Sequence, residues 1–184
     1  MGAPLSAEQI TARLRERYGD KVTGVQPAGG GPPCALVNRE HLLPVMEFLK
    51  SDPALGFDFL MDVTAVDHLL LDLPEIEERF VVVYQLCSYG NNHRYRLKTQ
   101  IPEDDLTAPS VFSLWQAALW GERETYDMFG IEFEGNPDMR RLLMPEDFPG
   151  FPLRKDYPLR GKGERDSFAP YVPEADEEPG SEQK

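Results

Sequence analysis

The sequence predicts an α+β protein with a ferredoxin-like sandwich, in which helices cover one face of a mainly antiparallel sheet. Segments with helical periodicity flank three segments that are rich in valine, phenylalanine, tyrosine and leucine. The predicted order is therefore helix, hairpin, helix, three strands, helix. Beyond Pro145 the periodicity ends, and seven prolines between residues 145 and 184 exclude long helices and central strands. We therefore predict a sandwich domain over residues 1–144 and an extended, proline-rich arm over residues 145–184.

The first predicted helix covers Ala7 to Tyr18. Ser6 and Gln9 match a capping box, in which the serine side chain and the residue three positions later satisfy each other's backbone N–H groups. From Ile10 onwards, apolar residues recur at helical spacing. These two signals predict an amphipathic helix that begins at the amino terminus of the domain.

A short hairpin and a second helix are predicted next. Val22 to Gln26 alternates weakly and Ala35 to Val37 is apolar, with a turn of glycine and proline at Gly29 to Pro33 between them. Asn38 is predicted to cap a helix that continues to Leu49, although Pro44 falls in its first turn. No internal repeat is visible, so a solenoid is not supported.

Three strands and a last helical region complete the predicted domain. Phe57 to Ala65, Arg79 to Ser88 and His93 to Ile101 are predicted as successive antiparallel strands. Ser110 to Trp120 shows helical periodicity again, and a further helical turn or two is expected over Glu122 to Phe129.

The charge and the apolar runs restrict the possible functions. A formal net charge of −13 argues against binding of nucleic acid or anionic lipid, which requires clustered lysine and arginine. The longest apolar runs, such as Val81 to Tyr84, are too short to cross a bilayer. The first ten residues lack a basic start and an apolar core, so we expect no secretory signal and a location inside the cell.

The cysteines and histidines do not form a recognisable metal or redox motif. Cys34 and Cys87 stand far apart without CxxC spacing, so they cannot supply the four thiolates of an iron–sulfur cluster or structural zinc site. We interpret them as reduced, buried residues. The three histidines are scattered and match no metal-binding spacing: His41, His68 and His93.

The most informative helix contains Glu122, Arg123, Glu124 and Asp127, followed by Gly130. Arg123 and Asp127 lie four residues apart, so we predict an ion pair on one helix face. Gly130 stands where a left-handed cap would end the helix. The three carboxylates could instead be acid and base groups or ligands of a hard metal ion. Because no nucleophile, histidine or glycine-rich loop lies close in sequence, we predict no catalytic and no metal-binding residue.

At this point the sequence resembles a known family. The motif continues beyond the helix with the residues Ile131, Asn136-Pro137-Asp138 and Arg140-Arg141-Leu142-Leu143. Flanking motifs occur at 57–67, 115–120, 143–148 and 152–158. Together they resemble the 30 kDa subunit family of respiratory complex I. One departure is Asn136, where the family has histidine, so a role that needs a titrating imidazole is excluded.

The resemblance implies a structural role. The chain would be a cofactor-free, non-catalytic subunit in the quinone module of the peripheral arm of NADH:quinone oxidoreductase, a proton-translocating enzyme. FMN, iron–sulfur clusters and quinone would be bound by partner subunits. The implied neighbours are the 49 kDa-like (NuoD) and terminal-cluster (NuoB) subunits. Partner proteins would hold the chain at the cytoplasmic side of the bacterial inner membrane.

The arm is predicted to contact such partners. Its aromatic and aliphatic residues alternate with basic ones and cannot form a core alone. We expect Asp147 to Tyr157 to dock in an ordered form and the acidic Glu174 to Lys184 to be disordered. The residues predicted to carry the family motif or to face partners are Glu122, Arg123, Glu124, Asp127, Gly130, Arg140, Arg141, Leu153, Arg154, Lys155, Asp156 and Tyr157.

Three alternatives remain open at the level of sequence. The chain could be the equivalent subunit of a group 4 NiFe hydrogenase or an F420H2 dehydrogenase, although it lacks the paired CxxC motifs of a nickel site. It could be a free-standing hydrolase that uses Glu122, Glu124 and Asp127. It could also be a small regulatory binding module.

Overall fold

The computed structural model describes residues 4–25, 34–71 and 73–163. The fold is α+β, as predicted. Three helices occur in this part of the chain: α1 (Ala7–Tyr18), α2 (Leu42–Ser51) and α3 (Ala118–Phe129). The strands are β1 (Val22–Val25), β2 (Cys34–Val37), β3 (Phe59–Asp67), β4 (Phe80–Ser88), β5 (His93–Ile101), β6 (Thr107–Pro109) and β7 (Glu132–Glu134).

The main sheet has five strands in the order β1-β2-β5-β4-β3. β3, β4 and β5 are antiparallel neighbours, and β1 and β2 form the predicted hairpin. β2 joins β5 in parallel, with Cys34 beside Arg96, so the sheet is mainly but not wholly antiparallel. The turn predicted at Gly29 to Pro33 lies outside the described residues.

The first helix agrees with the prediction, and the second begins later than expected. The capping box of α1 is formed, because Ser6 Oγ accepts from Gln9 N and Gln9 Oε1 accepts from Ser6 N. Asn38 instead precedes a 3-10 turn and makes no capping hydrogen bond with its side chain. α2 starts at Leu42, so Pro44 falls within its first turn, where a missing N–H is tolerated.

The predicted helix over Ser110 to Trp120 is wrong. Residues 111–117 form turns, in which Val111 O accepts from Leu114 N and from Trp115 N, and α3 begins only at Ala118. The apolar residues of this stretch, such as Val111 and Trp115, are buried by turns rather than by a helix, and their spacing alone does not distinguish the two. β6 and β7, which pair in parallel, were not predicted, since three-residue strands give no periodicity.

One face of the main sheet and all three helices share the core. Along β4, Phe80, Val82, Tyr84 and Leu86 point into it and are buried. α1 contributes apolar residues such as Ile10 and Leu14, and α2 contributes residues such as Val45 and Leu49.

α3 lies against the edge strand β3. Gly121 permits this close approach, because a Cβ at that position would lie 3.1 Å from the backbone oxygen of Val63. Thr125 Oγ1 donates to the same oxygen at 3.3 Å. The helix therefore shields a sheet edge that would otherwise expose backbone groups. Other polar residues of α3 contact the chain that follows the helix.

Residues 135–163, here called the C-terminal segment, contain no helix or strand, as their prolines and glycines predict. The segment does not leave the domain, because Leu153 N donates to Met128 O and Phe151 packs edge-on against Tyr126. The prediction for Glu174 to Lys184 falls outside the described residues. Within the described ranges, no helix has the length and apolarity that a membrane span requires.

Candidate functional site

Asp127 is the buried centre of the contact between α3 and the C-terminal segment. Its Oδ2 accepts from the backbone N–H groups of Leu142, Leu143 and Met144 at 3.0, 2.6 and 2.8 Å. Its Oδ1 accepts from Arg141 Nη1 at 2.7 Å. Burial alone would raise the pKa of Asp127, but these four donors outweigh it and lower the pKa.

The predicted ion pair between Arg123 and Asp127 is not formed. Arg123 pairs instead with Asp138 at 3.2 Å and donates to the backbone oxygens of Arg140 and Arg141. Arg123 and Asp127 both bind the C-terminal segment, because this segment packs over the helix face and supplies partners that an isolated helix lacks. The i,i+4 rule applies to exposed helix surfaces, and Arg123 and Asp127 are both buried.

Glu122 joins two other parts of the fold. It is fully buried and accepts from Ser110 Oγ at 2.7 Å, Val111 N at 2.8 Å and Asn136 Nδ2 at 2.8 Å. Burial raises the pKa of Glu122, although the three donors oppose this. Asn136 also accepts from Asp138 N at 2.9 Å, so its amide makes both the turn and the bond to Glu122.

Gly130 ends α3 in the left-handed conformation, with φ +80°, as predicted. The absence of a side chain also matters for packing. A Cβ there would lie 2.5 Å from Arg154 Nη2 and 2.6 Å from the ring of Phe151. Arg154 stacks on that ring, and its Nε donates to Phe129 O at 2.7 Å, which satisfies a carbonyl at the end of the helix.

A second buried carboxylate holds the end of the C-terminal segment. Asp67, at the end of β3, is buried, forms a bidentate pair with Arg79 at 3.0 and 2.9 Å and accepts from Lys155 N at 2.8 Å. Arg79 also pairs with Asp156 at 3.0 Å. Sequence reasoning did not single out Asp67 or Arg79 as site residues. The available signal was a charged residue at each of two neighbouring strand ends.

The pKa of Asp67 predicts a pH dependence of stability. Burial opposes ionisation, but Arg79 and two backbone N–H groups lower the pKa from 3.8 to about 2. Because the pKa of Asp67 is lower in the folded than in the unfolded chain, the ionised side chain stabilises the fold above about pH 4, and this stabilisation is lost as the pH falls to about 2. We expect about 2 kcal/mol from this residue at neutral pH.

Urea unfolding of the full chain and of Asp67→Asn between pH 6 and 2.5 tests this. The difference in the free energy of unfolding should shrink on acidification. A difference that stays constant across the range would contradict the assignment.

The three carboxylates of α3 do not converge. Glu122 and Asp127 each accept hydrogen bonds from separate donors, whereas the carboxylate of Glu124 is exposed and makes no hydrogen bond or ion pair within the described residues. No group of three metal-ligating side chains occurs in the part of the chain that the structure describes. This arrangement can anchor a peptide segment, and it offers no shared position for a substrate atom between the carboxylates.

Comparison with known proteins identifies the class. The family described as "Respiratory-chain NADH dehydrogenase, 30 Kd subunit" matches residues 35–163, which include both buried carboxylate clusters. The chain belongs to this family.

Particular relatives carry more specific names. Two bacterial proteins that are named as the C subunit of NADH-quinone oxidoreductase are similar to this chain. The one from Hyphomonas neptunium is 46% identical over 152 residues, which is 83% of this chain and 72% of that protein. The one from Geobacter metallireducens is 43% identical over 151 residues, 82% of this chain and 89% of that protein.

Two solved structures share the fold. One is described as Nqo5 of a trypsin-resistant fragment (1-134). It has a TM-score of 0.62 and 35% identity and covers 71% of this chain and 97% of its own. The other is a chain of a membrane-bound sulfane sulfur reductase, described as an archaeal respiratory membrane complex. It has a TM-score of 0.62 and 25% identity, with 83% and 85% coverage.

Proposed function

We propose that the chain is a non-catalytic structural subunit of the peripheral arm of NADH:quinone oxidoreductase, complex I. Its family and its relatives among the NADH-quinone oxidoreductase proteins support this function. The enzyme transfers electrons from NADH to quinone and translocates protons, and this chain supports that reaction as a scaffold. The FMN, the iron–sulfur clusters and the quinone are assigned to partner subunits.

The observation that carries the proposal is that residues of the family motif bind the C-terminal segment. Three charged residues of this motif, Arg123, Asp127 and Arg141, fix the C-terminal segment to the domain, whereas Glu124 is exposed. Side chains whose polar atoms are already bound cannot also contact a substrate, but they can hold the C-terminal segment in place as a binding surface. We infer that the segment is the presented surface.

The outward side of the C-terminal segment supports this inference. Leu143, Leu153 and Leu159 are exposed, with 56%, 50% and 102% of their surface accessible. Lys155 and Arg160 are exposed beside them. Exposed apolar residues bordered by charge are typical of protein interfaces.

The finer assignments are part of the same proposal. We propose that the 49 kDa-like (NuoD) and terminal-cluster (NuoB) subunits are the neighbours, at the cytoplasmic side of the bacterial inner membrane. The partner-binding arm over residues 145–184 and the ferredoxin-like description of the sandwich over residues 1–144 remain predictions. Within the arm, residues 145–163 contact the domain on one side, so a partner subunit would bind to their solvent-exposed side.

A double substitution separates partner binding from folding. Leu153 and Lys155 expose their side chains, whereas Arg154 and Asp156 make contacts within the chain. Leu153→Ser with Lys155→Glu should therefore leave the free energy of unfolding within about 0.5 kcal/mol of that of the parent chain. It should lower the amount of chain incorporated into the complex about tenfold, which corresponds to about 1.4 kcal/mol of lost contact energy.

The matched control is Ala12→Ser with Lys21→Glu, two positions near the amino terminus that make the same change in charge away from the C-terminal segment. Incorporation is measured by immunoblot of the complex isolated through another subunit. Normal incorporation of the Leu153 and Lys155 variant would contradict the role of the segment.

A second candidate is the equivalent subunit of a related membrane complex, such as a group 4 NiFe hydrogenase or an F420H2 dehydrogenase. The similarity to a chain of the archaeal sulfane sulfur reductase supports this alternative. The higher identity to the NADH-quinone oxidoreductase relatives favours complex I. The proteins that copurify with the chain distinguish the two.

A further inference from the structure

The sheet face that points away from the helices is covered only in part. Register places Phe59, Cys87 and Arg94 in one row across this face, and Asp62, Gln85 and Arg96 in the next. The following rows contain Val83 with Lys98 and Val81 with Gln100. Alternation along each strand puts these side chains on the same side, opposite the main core.

The chain's own acidic turn, residues 75–78, packs against this face along β2 and at the Gln100 end of β5. Ile76 packs against Cys34 and Leu36 of β2. The backbone N–H groups of Glu77 and Glu78 both donate to Gln100 Oε1, at 2.6 and 2.9 Å. This face therefore already accepts one apolar side chain and the backbone N–H groups of an acidic turn.

Residues of the first two rows that belong to β3, β4 and β5 line a cavity of about 530 Å³. Two arginines line it from β5, with side chains two positions apart on the same strand face. Gln85 lies beside Arg96, and with the Gln85 amide assigned so that its oxygen faces the guanidinium, that oxygen accepts from Arg96 Nε at 2.9 Å and Nη2 at 3.1 Å. The guanidinium of Arg94 is exposed and makes no hydrogen bond or ion pair within the described ranges.

Apolar side chains border the open half. Phe59 and Met61 are 42% and 45% exposed, and the ring of Phe59 lies 5.5 Å from the ring of Tyr89. Met61 occupies the bulge of β3, between Leu60 and Asp62, and lines the cavity. Asp62 is the one carboxylate among the described lining residues. The open half therefore combines two guanidinium groups with an apolar rim.

We propose that this half of the sheet face, around Arg94 and Arg96, binds an extended acidic segment of another subunit of the membrane complex. The inference rests on the proposed function, which supplies that complex. Guanidinium groups bind carboxylates through paired hydrogen bonds. Two of them on one strand match acidic residues at alternate positions of an extended chain, and the apolar rim accepts a neighbouring apolar side chain, as Cys34 and Leu36 accept Ile76.

Photo-cross-linking in the intact complex tests the inference. A benzophenone amino acid replaces Met61, at the rim of the cavity, and the complex is isolated through another subunit. Irradiation followed by peptide mass spectrometry should give an adduct with an acidic segment of a partner protein. Arg94→Glu with Arg96→Glu should lower the adduct yield about tenfold, because two attractive contacts become repulsive. Arg94→Lys with Arg96→Lys keeps the charge and should retain most of it.

Two controls make the result specific. The same photoreactive residue at Glu16, exposed on α1, should not label that segment. Arg94 is exposed and Arg96 is half-buried, so the free energy of unfolding of the double variants in urea should stay within about 1 kcal/mol of the parent.

The remaining outcomes overturn the inference. An adduct with residues 164–184 of this chain would identify its own acidic tail as the occupant. An adduct with a basic or wholly apolar segment, or no adduct in a complex that contains the chain, would refute the acidic partner while leaving the proposed function intact. Absence of the chain from the complex would contradict the proposed function itself.

Discussion

Replacement of Asp127 by alanine is expected to lower the free energy of unfolding of the chain by about 3–5 kcal/mol. The side chain is fully buried, so its removal leaves the guanidinium of Arg141 without its carboxylate. It also leaves three backbone N–H groups, from Leu142 to Met144, without their acceptor. These groups are partly buried, so water would replace the lost partner only incompletely, and each unsatisfied group costs free energy.

Urea unfolding of the purified chain measures this effect. Hydrogen exchange adds a local observation, since the amides of Leu142 to Met144 should lose protection first. Glu124→Ala is the matched control, because this carboxylate lies three residues earlier on the same helix but is exposed and lacks a partner among the described residues. A loss below about 1 kcal/mol for Asp127→Ala, similar to the control, would show that Asp127 does not anchor the segment.

Gly130→Ala is expected to have the second-largest effect, a loss of about 2–4 kcal/mol in the free energy of unfolding. Part of it is the cost of about 1–2 kcal/mol for placing a side chain at φ +80°. The rest arises because the new Cβ would collide with Phe151 and Arg154, which must move away. This movement also breaks the bond from Arg154 to Phe129 O, so the variant should be incorporated poorly into the complex.

Thermal and urea unfolding measure the change, and Gly90→Ala provides the control. A Cβ at Gly90, in the turn between β4 and β5, would meet no atom within 4 Å, and its φ lies outside the left-handed region. Gly90→Ala should therefore stay within about 0.5 kcal/mol of the parent. Equal effects at the two glycines would contradict the packing role of Gly130.

The parts of the fold that depend on local sequence signals were predictable. α1 agrees with its prediction at both ends, since a capping box and regular spacing of apolar residues define it. β5 agrees at both ends as well. The parallel pairing of β2 with β5 was not predictable, because it joins segments about sixty residues apart and depends on tertiary packing.

The sequence motif pointed to residues that make contacts in the structure, but it did not predict which contacts they make. The motif located Glu122, Arg123 and Asp127, yet the predicted pair between Arg123 and Asp127 is replaced by long-range pairs with Asp138 and Arg141. Helix spacing describes neighbours on an exposed surface, and it contains no information about the segment that packs over the helix. The prediction of a helix over 110–120 also failed, because the spacing of apolar residues does not distinguish a helix from turns that bury the same side chains.

These contacts explain why a motif rich in charge need not be an active site. Glu122 fixes the turn at Ser110 and Asn136, Asp127 fixes residues 141–144, and Asp67 fixes Lys155. Three buried carboxylates thus secure successive parts of the C-terminal segment. The order of the segment depends on all three, which links the stability of the domain to the surface that we propose for partners.

Native purification of the tagged chain from membranes tests the central claim most directly. The eluate is analysed by mass spectrometry and assayed for NADH:quinone activity. Our account predicts recovery of the flavin, iron–sulfur and quinone-module subunits together with that activity. Recovery of the chain alone, or with nickel- or F420-dependent partners and no NADH:quinone activity, would contradict it.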